Sequence, residues 1–210
     1  MQHSVWKCGR IGGVGIDVLC PAGVTVKSPA AAAYAPFLAP TEREAAAPAF
    51  EIKLLTGHPD VGLLHPVFTG SESWSMLRAG DWRVVVLGRL VADGEPTWMA
   101  SFRTGFEQVD AYRVADAVNS EGASSLLSPV RFPLDHLLLT YFLAPRQGGI
   151  FHAAGVDIEG TGFVFPGKSG AGKSTLARQV IAREAQHIEM LSDDRMIVRK
   201  IDGNFKAYGT

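Results

Sequence analysis

Two cysteines in 210 residues, Cys8 and Cys20, are too few for a disulfide framework. They have no metal-ligand spacing and fall in separate apolar segments, so both read as reduced core thiols. The chain also lacks an excess of one charge. Its 20 lysines and arginines stand against 21 aspartates and glutamates, for a formal charge of −1. That balance removes the electrostatic footprint expected of a nucleic-acid partner, and no like-charge run marks an interaction tail. Long apolar runs are missing too. Residues 1–10 have no stretch that suits a signal peptide, and no segment approaches the length of a membrane span. What is left, 47% hydrophobic and 20% charged residues, is the composition of a soluble globular protein, read here as cytoplasmic. The length fits one large domain or two small ones.

What the chain does have is a complete phosphate-binding loop, Gly167-Lys168-Ser169-Gly170-Ala171-Gly172-Lys173-Ser174, followed by Thr175. It matches G-x-x-x-x-G-K-[ST], and each fixed position has a physical task. Glycines let successive backbone N–H groups curl around phosphate oxygens, which a Cβ would obstruct. The lysine then reaches the β- and γ-phosphates, and the serine hydroxyl ligates Mg²⁺. Phe163-Val164-Phe165 reads as a short strand entering the loop, and Thr175 to Ala185 as the helix leaving it. One helix later comes an acidic pair, Asp193-Asp194, at the end of an apolar strand, Ile188 to Leu191. Carboxylates at such a strand end face bound phosphates in nucleotide folds. Adjacent residues on an extended chain point apart, so the two should have different roles.

Upstream, the pattern is that of strands. Phe50, Ile52 and Leu54 alternate with polar residues, Trp82 to Leu87 is densely apolar, and Trp98, Ala100 and Phe102 alternate again. Asp93-Gly94 makes the last two runs a predicted antiparallel pair, and Phe106 to Val114 adds another strand. Ala30 to Ala49, broken by prolines, reads as a loop. Asn119 to Ser128 is small and polar and reads as a linker, dividing the chain into a β-rich domain over residues 1–128 and a second over 129–210. Pro133 opens a helix through Leu143, Ile150 to Ile158 reads as a strand, and Asp202-Gly203-Asn204 as a hairpin turn.

The run Ile150-Phe151-His152-Ala153-Ala154-Gly155-Val156, the phosphate loop and Ser192-Asp193-Asp194-Arg195 together resemble the C-terminal catalytic domain of HPr kinase/phosphorylase. They resemble still more that family's HPr kinase-like and PEP carboxykinase-like relatives. The resemblance covers about the last third of the chain, from Ile150. It implies an α/β fold, with the β-rich N-terminal domain followed by a phosphate-loop kinase core that reads as stopping in mid-domain at Thr210. It implies ATP and Mg²⁺, a protein or peptide acceptor bearing a serine, and a habit of self-association. Residue by residue, it makes Lys173 and Ser174 the phosphate and Mg²⁺ contacts and Asp193 the catalytic base. Asp194 becomes the supporting acid, in a salt bridge or a metal-linked water network, and His152 an active-site histidine. The family's further glutamate and arginine-bearing loop have no counterpart before Thr210. The expected activity is therefore an ATP-dependent serine kinase, with a non-catalytic ATP-binding regulatory module as the alternative and a small-molecule kinase behind it.

Overall fold

The computed structural model describes residues 3–21, 25–27, 49–70, 74–87, 98–113, 125–127, 133–183 and 187–210. The proline-rich stretch before Ala49, the Asp93-Gly94 turn and the predicted linker, apart from residues 125–127, lie outside them. The chain divides into two compact units, residues 1–10 with 14–138 and residues 11–13 with 139–210.

The first unit contains β1 (His3–Ile11), β2 (Val14–Pro21), β3 (Thr25–Lys27), β4 (Phe50–Thr56), β5 (His65–Thr69), β6 (Trp74–Ala79), β7 (Trp82–Leu87), β8 (Trp98–Arg103), β9 (Gln108–Arg113) and β10 (Ser125–Leu127). Eight of these form one sheet in the order β1-β2-β4-β9-β8-β7-β6-β5, while β3 and β10 pair in parallel. The sheet is mixed. β2, β4 and β9 run parallel, and β9 through β5 alternate antiparallel. Register places apolar residues in continuous rows. Leu54 is opposite Ala111, Ala111 opposite Ala100, Ala100 opposite Val85 and Val85 opposite Met76. All five are buried, because residues directly opposite one another share a face of the pleat. Ser75 and Ser101, on the opposite face with Leu77, Val84, Val86 and Met99, are buried as well. The expected pair from Trp82 and Trp98 is present as β7 and β8.

A helix follows at Leu134–Leu143, with Leu134, Leu138, Leu139, Phe142 and Leu143 buried at helical spacing. Pro133 precedes it and its carbonyl accepts from Leu137 N–H at 3.0 Å, as suits a proline that has no N–H of its own to satisfy. A short 3₁₀ turn, Ala144–Arg146, ends the segment.

The second unit contains β11 (Gly148–Ile158), β12 (Thr161–Pro166), the helix Lys173–Ile181, β13 (Ile188–Ser192), β14 (Arg195–Ile201) and β15 (Asn204–Gly209). Here the expected α/β phosphate-loop core is overturned. The protein is mostly β-sheet, with fifteen strands and two α-helices among the described residues. The second sheet is antiparallel throughout: β11 pairs antiparallel with β12, β13 and β14, and β14 with β15. The reason lies in β11, which is long enough to serve two partner sets. Residues 148–152 pair with β14, residues 153–158 pair with β12, and residues 155–158 lie between β12 and β13. Both flanking strands oppose β11 and so run parallel to each other, joined through the loop helix. Short turns then force β14 and β15 into a hairpin, with positive φ at Asp202 and Gly203. The helix packs on this sheet through Ala177, Val180 and Ile181 against Ala154, Val156, Ile158, Phe165 and Ile188.

Candidate functional site

Strand direction brings the site together. Gly155 on β11 is opposite Val164 of β12 on one side and Ser192 of β13 on the other. The last residues of β12 and β13 therefore leave the sheet at the same end, one into the glycine-rich loop and the other into Asp193-Asp194. Two backbone bonds tie this end down: Gly167 N–H donates to the His152 carbonyl at 3.3 Å, and Ala153 N–H to the Asp194 carbonyl at 3.1 Å. His152 thus sits where β11 leaves β14 and enters between β12 and β13.

Within the loop, Gly170 and Gly172 have φ of 78° and 82°. A β-carbon at either position would meet no atom within 4 Å, so these glycines are required by backbone conformation, not by crowding. The helix begins at Lys173, two residues earlier than the sequence suggests, with Gly172 as its N-cap. Its first N–H groups have no partner within the helix, which favours an anion beside them.

Lys173 is only 8% exposed although it lines an open cleft of about 380 Å³. Its Nζ donates to the Lys168 carbonyl at 2.9 Å and to His152 Nε2 at 2.9 Å. An ammonium has no lone pair to offer, so Nε2 must be the acceptor and the imidazole proton must sit on Nδ1. That Nδ1–H faces Asp194, 3.0 Å from its carbonyl oxygen and 3.2 Å from Oδ1. The other carboxylate oxygen of Asp194 lies 3.3 Å from Arg195 Nε. Lys173, His152, Asp194 and Arg195 form one continuous chain of polar contacts.

Asp193, in the bend between β13 and β14, goes elsewhere. Its carboxylate lies 3.5 Å from Arg178 Nη2, and its carbonyl accepts from the Ser174 hydroxyl at 3.1 Å. The cleft is lined by His152, Ser169, Gly170, Gly172, Lys173, Ser174, Thr175, Asp193 and Asp194. Every side chain the sequence singles out for chemistry is in that set. Gly167, Lys168 and Ala171 shape the loop behind it, with Ala171 N–H donating to the Lys168 carbonyl at 3.2 Å.

Two contributors have no assigned task in the sequence reading. Ser192 is buried, and its Oγ accepts from the N–H groups of Asp194 (3.4 Å) and Arg195 (3.3 Å) while donating to the Thr210 carbonyl (3.4 Å). One hydroxyl thereby uses its donor and both acceptor sites to hold the turn that presents the carboxylates. A serine opening a polar turn after a strand is the signal for it. Arg178, one turn along the loop helix, is visible only as helix periodicity once Asp193 is placed.

Among the described residues, no group of three or more His, Cys, Asp or Glu side chains is placed to hold a metal. A Mg²⁺ shared with phosphates needs only one or two protein oxygens, the rest coming from the ligand and water, and the Ser174 hydroxyl and the carboxylates of Asp193 and Asp194 are among the groups lining the cleft. Among the same residues, no helix is long and apolar enough to cross a membrane. Comparison of the chain with protein-family models, with curated proteins and with solved structures finds no match.

Proposed function

We propose that the cleft binds ATP with Mg²⁺ and transfers the γ-phosphoryl group to a serine hydroxyl on a protein or peptide. The observation that carries this reading is the convergence, at one end of the β11–β12–β13 sheet, of the loop with Lys173, the acidic pair and His152. The loop's N–H groups and Lys173 would hold the phosphates. Ser174, with Asp193 beside it, would hold Mg²⁺, which neutralises charge building on the phosphate oxygens. Positioning and charge supply most of what such a transfer needs. The resemblance of this segment to HPr kinase-like proteins selects a serine as acceptor, and the open mouth of the cleft suits access by a polypeptide. The test is incubation of the full chain with γ-labelled ATP, Mg²⁺ and a serine-containing peptide library. Label appearing on peptide, dependent on Lys173, supports the reading.

A second reading, a nucleotide-binding regulatory module without catalysis, is favoured by one feature. Asp193 and Asp194 are the only carboxylates lining the cleft among the described residues, and both are engaged by arginines. Firm ATP binding with no label on any peptide would select it.

A further inference from the structure

We infer that His152, oriented by Asp194, is the group that takes the acceptor's proton. This rests on reading the cleft as a phosphoryl-transfer site and assigns one step within it. The imidazole already has the required form. Its proton is on Nδ1, facing Asp194, and its lone pair is on Nε2, facing Lys173 at 2.9 Å. The contact with Lys173 fixes where that lone pair points. When phosphates enter, the Lys173 ammonium exchanges Nε2 for phosphate oxygens. The lone pair is then left next to the position where the γ-phosphoryl group must lie.

The two carboxylates are placed less well for this task. Asp193 faces Arg178, and both oxygens of Asp194 are in use, one by His152 and one by Arg195. Among the described residues, His152 is the one titratable side chain lining the cleft that has a partner fixing its orientation and, on this reading, a lone pair freed by ligand binding. The arrangement follows the logic in which a carboxylate holds an imidazole in one tautomer and steadies the cation it becomes.

In the step, the acceptor oxygen attacks the γ-phosphorus as the bond from that phosphorus to the β–γ bridging oxygen breaks. The bond's electron pair leaves with ADP. The acceptor's proton passes to Nε2, giving an imidazolium whose Nδ1–H stays on Asp194. Before ligand arrives, the same Nε2 holds Lys173, so one nitrogen serves in turn as a rest for the lysine and as a proton acceptor.

The experiment uses the full chain, Mg²⁺–ATP and water as the acceptor. It measures the single-turnover rate at saturating ATP, ATP affinity, and the ¹⁵N resonances of the His152 ring in the free protein. We expect the Nδ1–H tautomer in the parent and its loss in Asp194→Asn. His152→Gln should lower the saturated rate by about 10²- to 10⁴-fold while ATP affinity stays within about threefold. Added imidazole should restore part of the rate of His152→Ala. His152 is exposed, so none of these variants removes core packing. An Nε2–H tautomer in the parent would overturn the proposal. So would equal saturated rates with weakened ATP binding, which would leave His152 only as a rest for Lys173. An acid-labile phosphoryl group on His152 would overturn it by making the ring a nucleophile. Firm ATP binding by the parent without turnover would overturn it while leaving the nucleotide site standing, whereas no ATP binding at all would overturn the reading of the cleft itself.

Discussion

Lys173 reaches back along its own loop to donate to the carbonyl of Lys168 at 2.9 Å. The amine proposed to grip the phosphates thus closes the loop on itself, at 8% exposure. Binding exchanges one set of acceptors for another, so removing the amine should affect the liganded state far more than the free one. In the parent, ATP with Mg²⁺ at about 100 times its Kd should add about 2.7 kcal/mol if the cleft binds it as proposed. For a chain of this size that is a rise in melting temperature of roughly 5–10 °C. Lys173→Ala should show little or none of this rise. Thermal scans with and without nucleotide decide it, and equal shifts in the two proteins would remove Lys173 from the site.

A side chain at Gly155 would collide with Met196. The glycine is opposite both Val164 and Ser192, at a register shift in the β11–β13 pairing, and a β-carbon there would lie 2.6 Å from both Cε and Sδ of Met196. Met196 is itself fully buried. Gly155→Val should therefore destabilise by about 1–3 kcal/mol through overpacking. The smaller Gly155→Ala should cost less, because the end of a methionine side chain can swing. Shortening Met196 in the Gly155→Val background should return part of the loss. Urea unfolding of the single and double variants measures this, and additive losses would show that the two positions do not compete for space.

The local grammar of the site is readable from the residues alone. Loop, helix, acidic turn and the strand bearing His152 are found where the glycines, the apolar runs and the turn signals place them. What the sequence does not carry is which strand lies between β12 and β13. The pattern strand, loop, helix, strand is the same whether a parallel or an antiparallel strand is inserted, so the α/β expectation followed the pattern, finding β11 as a strand but not its place between β12 and β13. The first hairpin is a different kind of omission. Val14, Ile16, Val18 and Cys20 alternate as buried residues, and Gly12-Gly13 before them, both with positive φ, is a tight-turn signal that could have been used. The long-range pairing of β2 with β4 and of β4 with β9 depends on strands dozens of residues apart. No local period encodes it.

Cys20 is a free thiol at 1% exposure, and burial raises its pKa above the ordinary thiol range. The unfolded thiol ionises first, at about pH 8.5, while the buried one stays neutral. Its contribution to stability is therefore present in full below the unfolded value and is lost as pH rises toward and through the folded one. Tyr112 adds a loss of the same sign at higher pH. Its pKa is raised by burial first and then by the charges of Asp110 and Asp60. Unfolding free energy measured between pH 7 and pH 10 should fall above about pH 8.5. Cys20→Ala should start lower, from lost packing, but fall less steeply. An identical slope in both proteins would show that the thiol makes no contribution to it.

Asp193 distinguishes a metal-side carboxylate from a proton acceptor. Its pair with Arg178 joins side chains that are 53% and 70% exposed, at 3.5 Å, so solvent screens it and it contributes at most about 1 kcal/mol to folding. Asp193→Asn should therefore leave stability within about 0.5 kcal/mol of the parent. Its effect should appear instead in the Mg²⁺ concentration needed for ATP binding, because Asp193 lines the cleft together with Ser174, whose hydroxyl donates to the Asp193 backbone carbonyl at 3.1 Å. Raising Mg²⁺ should then recover most of the transfer rate in Asp193→Asn. It should not recover the rate in Asp194→Asn, where the imidazole of His152 has lost the carboxylate that orients it. The measurement is a Mg²⁺ titration of single-turnover transfer in the parent and both variants. A rate in Asp193→Asn that stays low at every Mg²⁺ concentration, with ATP fully bound, would return the proton to Asp193 and take it from His152.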